Sequence, residues 1–228
     1  MEPMILIENL QKSFFLHLQG GLNLSILNGI DMEVYTGECL ALSGPSGSGK
    51  STLLRLLYAN YKVHGGSILL KHQGQWIDMA RAEPRKVLEI RKLTIGYVSQ
   101  FLRVIPRVPA LDLLMEPLRR LSVPVQQARD QAEAMLMRLN IPERLWGISP
   151  TTFSGGEQQR INIARSFMNP YPIMLLDEPT ASLDATNRRV VIEMIQEAKS
   201  RGTAMVGVFH DEEVRDAVSS RTFDMTNQ

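Results

Sequence analysis

The stretch Gly44-Pro45-Ser46-Gly47-Ser48-Gly49-Lys50-Ser51 decides the fold, because it matches the pattern G-x-x-x-x-G-K-[ST] at every fixed position. The apolar run at residues 39–42 precedes it and is typical of a buried parallel strand. Apolar residues at helical spacing follow it from residue 51 to residue 58. Strand, glycine-rich loop and helix in this order predict a loop whose backbone amides face phosphates. Lys50 can then reach the outer phosphates, and the Ser51 hydroxyl can bind Mg²⁺.

A second group of candidate residues follows another apolar run. Residues 173–176 indicate a core strand that ends in Asp177-Glu178, and Pro179 stops the strand. Because ligands bind at the carboxyl ends of parallel strands, both acids are expected beside the glycine-rich loop. Asp177 would hold the Mg²⁺ shell, and Glu178 would polarise the water that attacks the γ-phosphate. Two acids at a strand end also occur as solvated caps, so the pair alone does not decide the function.

Two more predicted strands end in polar residues. His210 follows the apolar run at residues 204–209, and Gln100 follows the run at residues 94–99. A lone histidine is more often structural than functional. Three strands that all end in polar residues nevertheless predict one shared site at the edge where their carboxyl ends meet.

A second anion site is indicated by the stretch Thr152-Phe153-Ser154-Gly155-Gly156-Glu157-Gln158-Gln159-Arg160. Ser154 can cap a helix, Glu157 completes a capping box three residues later, and the two glycines leave backbone amides uncovered. A helix N-terminus with uncovered amides attracts phosphate. An ordinary helix cap has the same sequence, so the context of residues 44–51 is what favours an anion site.

Together these motifs resemble the nucleotide-binding domain of the ATP-binding cassette (ABC) ATPases. They stand in the family's order along nearly the whole chain: residues 44–51, Gln100, residues 154–157, Asp177-Glu178, residues 182–184 and His210. The resemblance implies an α/β fold, a P-loop NTPase of ABC type with a mixed, largely parallel sheet as its core, an antiparallel β subdomain and an inserted helical subdomain. It also implies an enzyme that hydrolyses ATP with Mg²⁺. Two such domains pair head to tail in this family, as a homodimer or with a sister ABC ATPase.

The resemblance implies a role for each matched residue. Glu178 is implied as the general base, His210 as the contact to the γ-phosphate, and Gln100 as the sensor of Mg²⁺ and the attacking water. Asp184 matches the aspartate that communicates across the dimer, and Ser154 would cap the γ-phosphate of ATP held by the partner. The implied Mg²⁺ ligands are Ser51, Gln100 and Asp177. The implied ATP contacts are Phe14, Gly44, Pro45, Ser46, Gly47, Ser48, Gly49, Lys50, Ser51, Thr52, Ser154, Gly155, Gly156, Glu157 and Asp184.

Three positions carry alternatives or departures from the family pattern. In the family an aromatic residue upstream stacks on adenine, and Phe14 is suggested for this role with Phe15 as the alternative. Either ring can equally be part of the core. Phe153 stands where leucine is commoner, and Glu157 stands where glutamine is common. Glutamate still satisfies the capping box, so neither departure argues against activity.

Composition excludes several classes of protein. Lys plus Arg number 25 against 24 Asp plus Glu, so no strong field attracts nucleic acid or anionic lipid. The single cysteine, Cys39, cannot form an internal disulfide and is expected to pack in the core. Residues 1–9 are typical of a first strand rather than a signal peptide, and no run approaches the roughly 18 apolar residues of a membrane helix. We expect a cytoplasmic protein without direct membrane insertion and without a nucleic-acid partner.

The 228 residues are expected to form a single ABC ATPase domain over residues 1–228. The predicted nucleotide-binding core is 1–100 and 160–228, and the predicted helical subdomain with the signature motif is about 101–159. A hairpin is predicted around Gly74 and an amphipathic helix over residues 186–201, ended by Gly202. The prolines expected to break the helical subdomain into short pieces are Pro106, Pro109, Pro117, Pro124 and Pro142.

Four stretches outside these motifs are similar to the L-type ATPase subunit of the bacterial carbon–phosphorus lyase system, which degrades phosphonates. They are residues 57–61, 100–107, 141–146 and 209–216. This resemblance implies an ATPase of phosphonate catabolism that works with a sister K-type subunit and the lyase core complex. In residues 100–107, Arg103 and Arg107 form a basic edge that could dock on an acidic soluble partner or simply be solvated.

Two alternatives stay open beside the phosphonate lyase role. One is the ATPase subunit of a membrane transporter of the lipoprotein-release or macrolide-export type, whose signature also contains Ser-Gly-Gly-Glu. The other is a scaffold that binds ATP without hydrolysing it. The intact Glu178 and His210 weigh against the scaffold.

Overall fold

The computed structural model describes residues 2–16, 22–100 and 106–226. Its strands are β1 (Pro3–Leu16), β2 (Leu22–Tyr35), β3 (Cys39–Ser43), β4 (Gly65–His72), β5 (Gln75–Asp78), β6 (Ile95–Val98), β7 (Ile173–Asp177), β8 (Ala204–Val208) and β9 (Arg221–Asp224). Its α-helices are α1 (Lys50–Leu57), α2 (Pro84–Leu93), α3 (Ala110–Arg120), α4 (Val125–Arg138), α5 (Gly155–Phe167), α6 (Ala185–Ser200) and α7 (Glu212–Val218). Short 3₁₀ helices span Glu143–Leu145 and Pro150–Thr152.

A five-stranded sheet in the order β6-β7-β8-β3-β9 forms the core, and all of its pairs are parallel. Successive residues of its strands pack into two different hydrophobic clusters. In β7, Ile173 and Leu175 belong to one cluster, whereas Met174 and Leu176 belong to the other. Both faces of the sheet are therefore covered, which explains the continuous apolar runs seen in the sequence. The predicted α/β core is confirmed.

Cys39 begins β3 and is fully buried between these layers. Burial raises the pKa of its thiol to about 12. The predicted role of this cysteine in core packing is confirmed.

The second sheet has four strands in the order β2-β1-β4-β5, and all of its pairs are antiparallel. The β4–β5 hairpin turns at Gln73 and Gly74, which both have positive φ, as a two-residue type I′ turn requires. Buried side chains of this sheet, such as Ile5 and Ile30, share a hydrophobic cluster with Leu40 and Leu175 of the parallel sheet. The antiparallel sheet thus covers one face of the core, and the predicted hairpin is confirmed.

The segment between β6 and β7 is helical, as predicted, but one of its prolines does not break a helix. Pro109 and Pro124 precede α3 and α4 as their N-caps, and Pro142 precedes a 3₁₀ helix. Pro117 instead lies inside α3, so its predicted break is wrong. The buried α3 residues Leu113, Leu114 and Leu118 pack in the larger cluster around it, and this packing outweighs the missing proline amide.

Parts of two predictions fall outside the described residues. Residues 101–105, which include Arg103, belong to the predicted basic edge and to the start of the helical subdomain. Arg107 is described and is exposed. No helix in the described part of the chain is both long and apolar enough to cross a membrane.

Candidate active site

The loop between β3 and α1 is rich in glycine and leads into a helix that has no side-chain cap. Gly49 is the N-cap residue of α1, has φ of 91°, and offers no side-chain hydrogen bond to the first turn. A Cβ at Gly49 would lie 2.7 Å from the Leu27 side chain, so the position admits only glycine. The first amides of α1 are therefore not capped by a side chain of their own.

Lys50 and Ser48 place polar groups inside this loop. The Lys50 ammonium donates to the carbonyl oxygens of Gly44, at 2.7 Å, and Pro45, at 2.8 Å. The buried Ser48 hydroxyl has no hydrogen-bond partner among the described residues. A cation and an unsatisfied hydroxyl within a curl of backbone amides suit an anion with several oxygens, such as the phosphates of a nucleotide. The other predicted contacts of this region are Ser46, Gly47, Ser51 and Thr52, and they lie in the loop and the first turn of α1.

Asp177 ends β7 and links that strand to two neighbouring elements. The Ser51 hydroxyl donates to Asp177 Oδ1 at 3.1 Å, and the Tyr97 hydroxyl donates to Asp177 Oδ2 at 2.8 Å. Asp177 is only 3% exposed. Burial, and secondly the Asp177 carboxylate, raise the pKa of Tyr97, so its hydroxyl remains a donor at neutral pH. Each oxygen of the buried carboxylate thus has its own hydroxyl donor.

Glu178 follows Asp177 and lies between the residues that end two other strands. The Gln100 side-chain amide donates to Glu178 Oε2 at 3.1 Å, and His210 Nε2 lies 2.7 Å from Glu178 Oε1. The structure therefore brings the ends of β6, β7 and β8 together, as the sequence predicted.

The backbone of Glu178 is itself unusual. Its φ is +52°, in the left-handed region that costs a residue with a Cβ about 1–2 kcal/mol. Its amide donates to the Val208 carbonyl at 3.1 Å, which ties the strained residue to β8. Strain held by surrounding contacts in this way is typical of functional positions.

A small cavity of about 260 Å³ opens onto this carboxylate. It is lined by Glu178, Thr180, Ala181, Arg188, His210 and Asp211. The Arg188 guanidinium pairs with Asp211 at 2.7 Å and so connects α6 to the start of α7. The cavity gives a water molecule room beside the Glu178 carboxylate.

The helix α5 begins with the capping box that the sequence predicted. The Ser154 hydroxyl accepts from the Glu157 amide at 3.3 Å. The Glu157 carboxylate accepts from the Ser154 hydroxyl at 2.7 Å and from the Ser154 amide at 2.8 Å. These bonds to Ser154, the side-chain bond first, hold the pKa of Glu157 below its usual value. The N-terminus of α5 thus carries an anion that belongs to the chain itself.

The start of α5 lies against the segment that leads into α6. A Cβ at Gly156 would lie 3.1 Å from the Ser182 carbonyl oxygen. Asp184 is the N-cap residue of α6 and accepts from the Asn187 amide at 2.8 Å and from its side-chain nitrogen at 2.9 Å. These bonds, the backbone one first, hold the pKa of Asp184 below its usual value.

We call residues 154–157 together with residues 182–184 the signature patch. It includes Gly155, which is exposed. Within the described residues, no hydrogen bond or ion pair joins the signature patch to residues 44–51. The two predicted anion sites are therefore separate features of one chain.

The two candidates for adenine stacking differ in their surroundings. Phe14 is half-buried and packs edge-on against Tyr61, with ring centroids 5.3 Å apart. The Lys12 ammonium lies 4.7 Å from the centre of the Phe14 ring. Phe15 is 56% exposed. Which of the two rings stacks on adenine stays a prediction.

The oxygen donors near Asp177 suit Mg²⁺. Ser51 offers a hydroxyl, Asp177 a carboxylate and Gln100 an amide oxygen, and all three are the hard ligands that Mg²⁺ prefers. The described residues contain no group of three or more His, Cys, Asp or Glu that could hold a metal. Mg²⁺ usually takes one or two carboxylates and completes its shell with phosphate and water, so this sparse set fits a nucleotide-bound ion.

Tyr97 is not among the site residues predicted from the sequence, although its hydroxyl contacts Asp177 directly. One signal was present, since Tyr97 lies in the strand that leads to Gln100 and carries a hydrogen-bonding hydroxyl among apolar neighbours. The direction of its ring follows from how β6 pairs with β7, which places Tyr97 opposite Leu175.

Comparison with known proteins adds a family match and two kinds of relatives. A family model described as "ABC transporter" matches residues 27–181. The lipoprotein-releasing system ATP-binding protein LolD of Aquifex aeolicus is 35% identical over 200 residues, which cover 88% of this chain and 87% of LolD. The macrolide export ATP-binding/permease protein MacB of Brucella abortus is 34% identical over 212 residues, covering 93% of this chain but only 32% of MacB.

A solved structure has the same fold. It is a dimer of the ATP-binding cassette MJ0796 in a post-hydrolysis state, bound to ADP and phosphate. The two chains superpose with a TM-score of 0.86 at 28% sequence identity, and the match covers 97% of this chain and 94% of that one. The expected fold, including its antiparallel sheet and helical segment, is confirmed.

Proposed function

The chain belongs to the ABC transporter family and is an ATPase, and we propose that it hydrolyses ATP as one half of a head-to-tail dimer whose closing and opening drive a partner protein. The observation that carries this proposal is the position of Glu178. Its carboxylate is held between Gln100 and His210 at the end of β7, directly after the buried Asp177. A carboxylate held beside a cavity with room for water suits a general base.

We assign the proton of the attacking water to Glu178. The contact between His210 Nε2 and Glu178 Oε1 would orient the carboxylate, and His210, which is exposed, would contact the γ-phosphate. The Gln100 amide fixes the other carboxylate oxygen and keeps its own oxygen available for the metal or the water. Positioning of this kind supplies most of the catalysis in phosphoryl transfer, because the protein does little covalent chemistry.

ATP would be held by the loop at residues 44–51, with Lys50 turning from the loop carbonyls to the outer phosphates. Ser51, Asp177 and Gln100 would hold Mg²⁺, which neutralises charge on the phosphates when it is bound. The Ser51 hydroxyl already lies against Asp177, so two of these three groups are close together without the ion. Adenine would stack on Phe14 or Phe15.

The signature patch would complete the site of the partner. Among the described residues, no hydrogen bond or ion pair joins the patch to residues 44–51 of the same chain, although its amides and the Ser154 hydroxyl are suited to phosphate. A head-to-tail arrangement would bring the patch of each copy to the loop of the other, and Asp184, which belongs to the patch, would communicate across the interface. The dimeric state of the related cassette MJ0796 supports this arrangement.

Two partner classes are supported by different observations. The curated relatives favour a membrane transporter, since LolD is named for lipoprotein release and MacB is named as a permease joined to an ATP-binding part. The similarity of residues 57–61, 100–107, 141–146 and 209–216 to the L-type ATPase of the carbon–phosphorus lyase system favours phosphonate catabolism, with a sister ABC ATPase and the lyase core as partners. The comparisons support the transporter class better than the lyase class.

A groove of about 820 Å³ beside Gln100 is the surface that we propose for either partner. Its charged lining residues are the cations Arg55, Arg91, Lys92, Arg120 and Arg165 and the acids Glu116 and Asp177. Glu116 already pairs with Arg120 and Arg165. The groove therefore keeps an excess of positive charge, which suits a partner segment with acidic side chains.

Capture of partners tests the two classes directly. Tagged Glu178→Gln protein is expressed in its own host during growth on a phosphonate, and Mg²⁺ and ATP are kept present through purification. Recovery of lyase subunits supports the phosphonate role, whereas recovery of a permease without lyase subunits supports the transporter role. A Lys50→Ala bait serves as the control, because it should not reach the ATP-bound closed state.

Replacement of the base tests the catalytic assignment. Glu178→Gln should lower ATP turnover at least about 100-fold, because the water loses its base while the phosphate contacts remain. The variant should also accumulate as an ATP-bound dimer in size-exclusion chromatography with light scattering. Glu212→Gln is the matched control, since Glu212 lies at the exposed start of α7. Turnover of Glu178→Gln at the wild-type rate would remove Glu178 from the mechanism.

A further inference from the structure

Tyr97 connects the partner groove to the end of β7. Tyr97 and Asp177 both line the groove of about 820 Å³. The Tyr97 hydroxyl donates to Asp177 Oδ2 at 2.8 Å. The groove therefore reaches a residue that we assign to Mg²⁺, and Tyr97 is the side chain between them.

The ring of Tyr97 is fixed from its other side. It stacks on Tyr58, with ring centroids 5.2 Å apart and an angle of 30° between the planes. The Arg91 guanidinium lies 4.4 Å from the centre of the Tyr58 ring and donates twice to the Tyr58 carbonyl. A ring held by stacking and by a cation keeps its hydroxyl in one place.

The two hydroxyl donors bond to different oxygens of the Asp177 carboxylate. Ser51 donates to Oδ1 from the side of the phosphate loop, and Tyr97 donates to Oδ2 from the side of the groove. With Tyr97 in place, Oδ1 is the oxygen turned toward Ser51, the other proposed Mg²⁺ ligand. Without the Tyr97 hydroxyl, Asp177 Oδ2 would lose its donor and the carboxylate could rotate.

We propose that Tyr97 is a positioning residue that sets the affinity of the site for Mg²⁺ by orienting Asp177. The proposal rests on the assignment of Asp177 as a Mg²⁺ ligand. Groups that hold a metal ligand through a hydrogen bond typically change metal affinity by 10- to 100-fold when they are removed. The Tyr97 hydroxyl has this relation to Asp177.

The test is Tyr97→Phe, which removes the hydroxyl and keeps the ring on Tyr58. Binding of a fluorescent ATP analogue is titrated with Mg²⁺ in the Glu178→Gln background, so that hydrolysis does not interfere. We expect the Mg²⁺ concentration for half-saturation to rise about tenfold. Affinity for the analogue in EDTA should stay unchanged, because Tyr97 is not a phosphate contact.

Tyr171→Phe is the matched control. Tyr171 lines the same groove, and its hydroxyl makes no hydrogen bond within the described residues. This variant should keep the Mg²⁺ dependence of the parent protein. An equal rise in both variants would assign the effect to the groove in general and overturn the role of the Tyr97 hydroxyl.

The remaining outcomes separate the inference from the proposed function. A parent protein whose nucleotide binding does not depend on Mg²⁺ contradicts the metal site itself. A Mg²⁺-dependent parent with an unchanged Tyr97→Phe variant contradicts only the positioning role. Loss of binding in EDTA as well would mean that Tyr97 holds the fold and not the metal ligand.

A measurement on the unsubstituted ring covers the case in which Tyr97→Phe does not fold. The chain has five tyrosines, so 3-fluorotyrosine labelling gives a small set of ¹⁹F resonances. Addition of Mg²⁺ to the ATP-bound protein should shift the resonance of Tyr97 and leave that of Tyr171 in place. A Tyr97 resonance whose chemical shift does not change on addition of Mg²⁺ would overturn the proposal.

Discussion

The N-termini of α1 and α5 are both suited to phosphate, yet they are built in opposite ways. The helix α1 starts at Gly49, which gives its first turn no side-chain hydrogen bond, and Lys50 adds a cation. The helix α5 starts at Ser154, whose hydroxyl and amide are both bonded to the Glu157 carboxylate. One N-terminus therefore leaves its amides to a ligand, whereas the other has its cap residue already bonded to an anion of the chain.

This difference indicates which of the two sites binds nucleotide first. The loop before α1 can hold a nucleotide in a single chain, because its amides and its cation are not committed to a side-chain cap. A phosphate at the start of α5 would lie near Glu157, which is an anion itself and already bonds the Ser154 hydroxyl and amide. We therefore expect nucleotide binding to be strong at α1 and to precede dimer closure at α5.

The largest effect is expected when a bulky side chain blocks the start of α5 in the dimer interface. Ser154→Arg should leave ATP binding by the monomer unchanged but weaken the ATP-dependent dimer. A bulky side chain at an interface hot spot costs about 2 kcal/mol at each of the two sites of a homodimer, or about 1,000-fold in all. Light scattering with ATP in the Glu178→Gln background measures the fraction of dimer. Thr151→Arg is the control, because Thr151 is exposed in the short 3₁₀ helix before α5, and a normal ATP-bound dimer of Ser154→Arg would contradict the role proposed for the start of α5.

The second effect concerns α1. Lys50→Ala should lower the affinity of the monomer for ATP about 100-fold, because charge-assisted hydrogen bonds to phosphate contribute roughly 1.5–3 kcal/mol. Isothermal titration at low protein concentration measures this affinity without dimerisation. Lys62→Ala is the control, since Lys62 is exposed outside the loop. Wild-type affinity in Lys50→Ala would contradict the assignment of residues 44–51 to phosphate.

A smaller effect is expected from the charge at α5. Glu157→Gln should tighten the ATP-dependent dimer about tenfold, because each site loses an anion whose interaction near a helix N-terminus is about 0.3–1 kcal/mol. Glutamine still completes a capping box, so α5 should begin at the same residue. Sedimentation in the Glu178→Gln background gives the dimer constant. A weaker dimer would mean that the carboxylate helps closure rather than competing with the phosphate.

The smallest effect is expected on the free energy of unfolding when each of two serines is replaced in the absence of nucleotide. Ser154→Ala should lower the free energy of unfolding by about 1 kcal/mol, since a helix loses its cap. Ser48→Ala should not lower it, because the buried Ser48 hydroxyl has no bond to lose among the described residues. Urea denaturation of both variants measures the difference. Equal losses would show that the two helix starts depend on their serines in the same way.

The convergence of the candidate active-site residues could be predicted from the sequence because it depends on topology alone. Parallel strands end at one edge, so Gln100, Glu178 and His210 had to be near each other once their strands were recognised. The capping box was equally predictable, since Ser154 and Glu157 stand at the required spacing and need no distant partner.

Features that depend on packing could not be predicted in this way. Pro117 continues α3 because buried neighbours hold the helix, and local propensity does not report on those neighbours. Tyr97 reaches Asp177 because of the pairing of β6 with β7, which the sequence does not state. The division into a core and a helical subdomain at residues 101–159 and the roles of the individual site residues stay predictions.

The burial of Cys39 has a practical consequence for following the dimer as it works. The only thiol of the chain lies in the centre of the core with its pKa raised to about 12, so it is almost entirely protonated and out of reach of alkylating reagents. A cysteine introduced at an exposed position such as Met137 would then be the single site that takes a dye. Energy transfer between two labelled copies could report each closing and opening in real time without a prior removal of native cysteines.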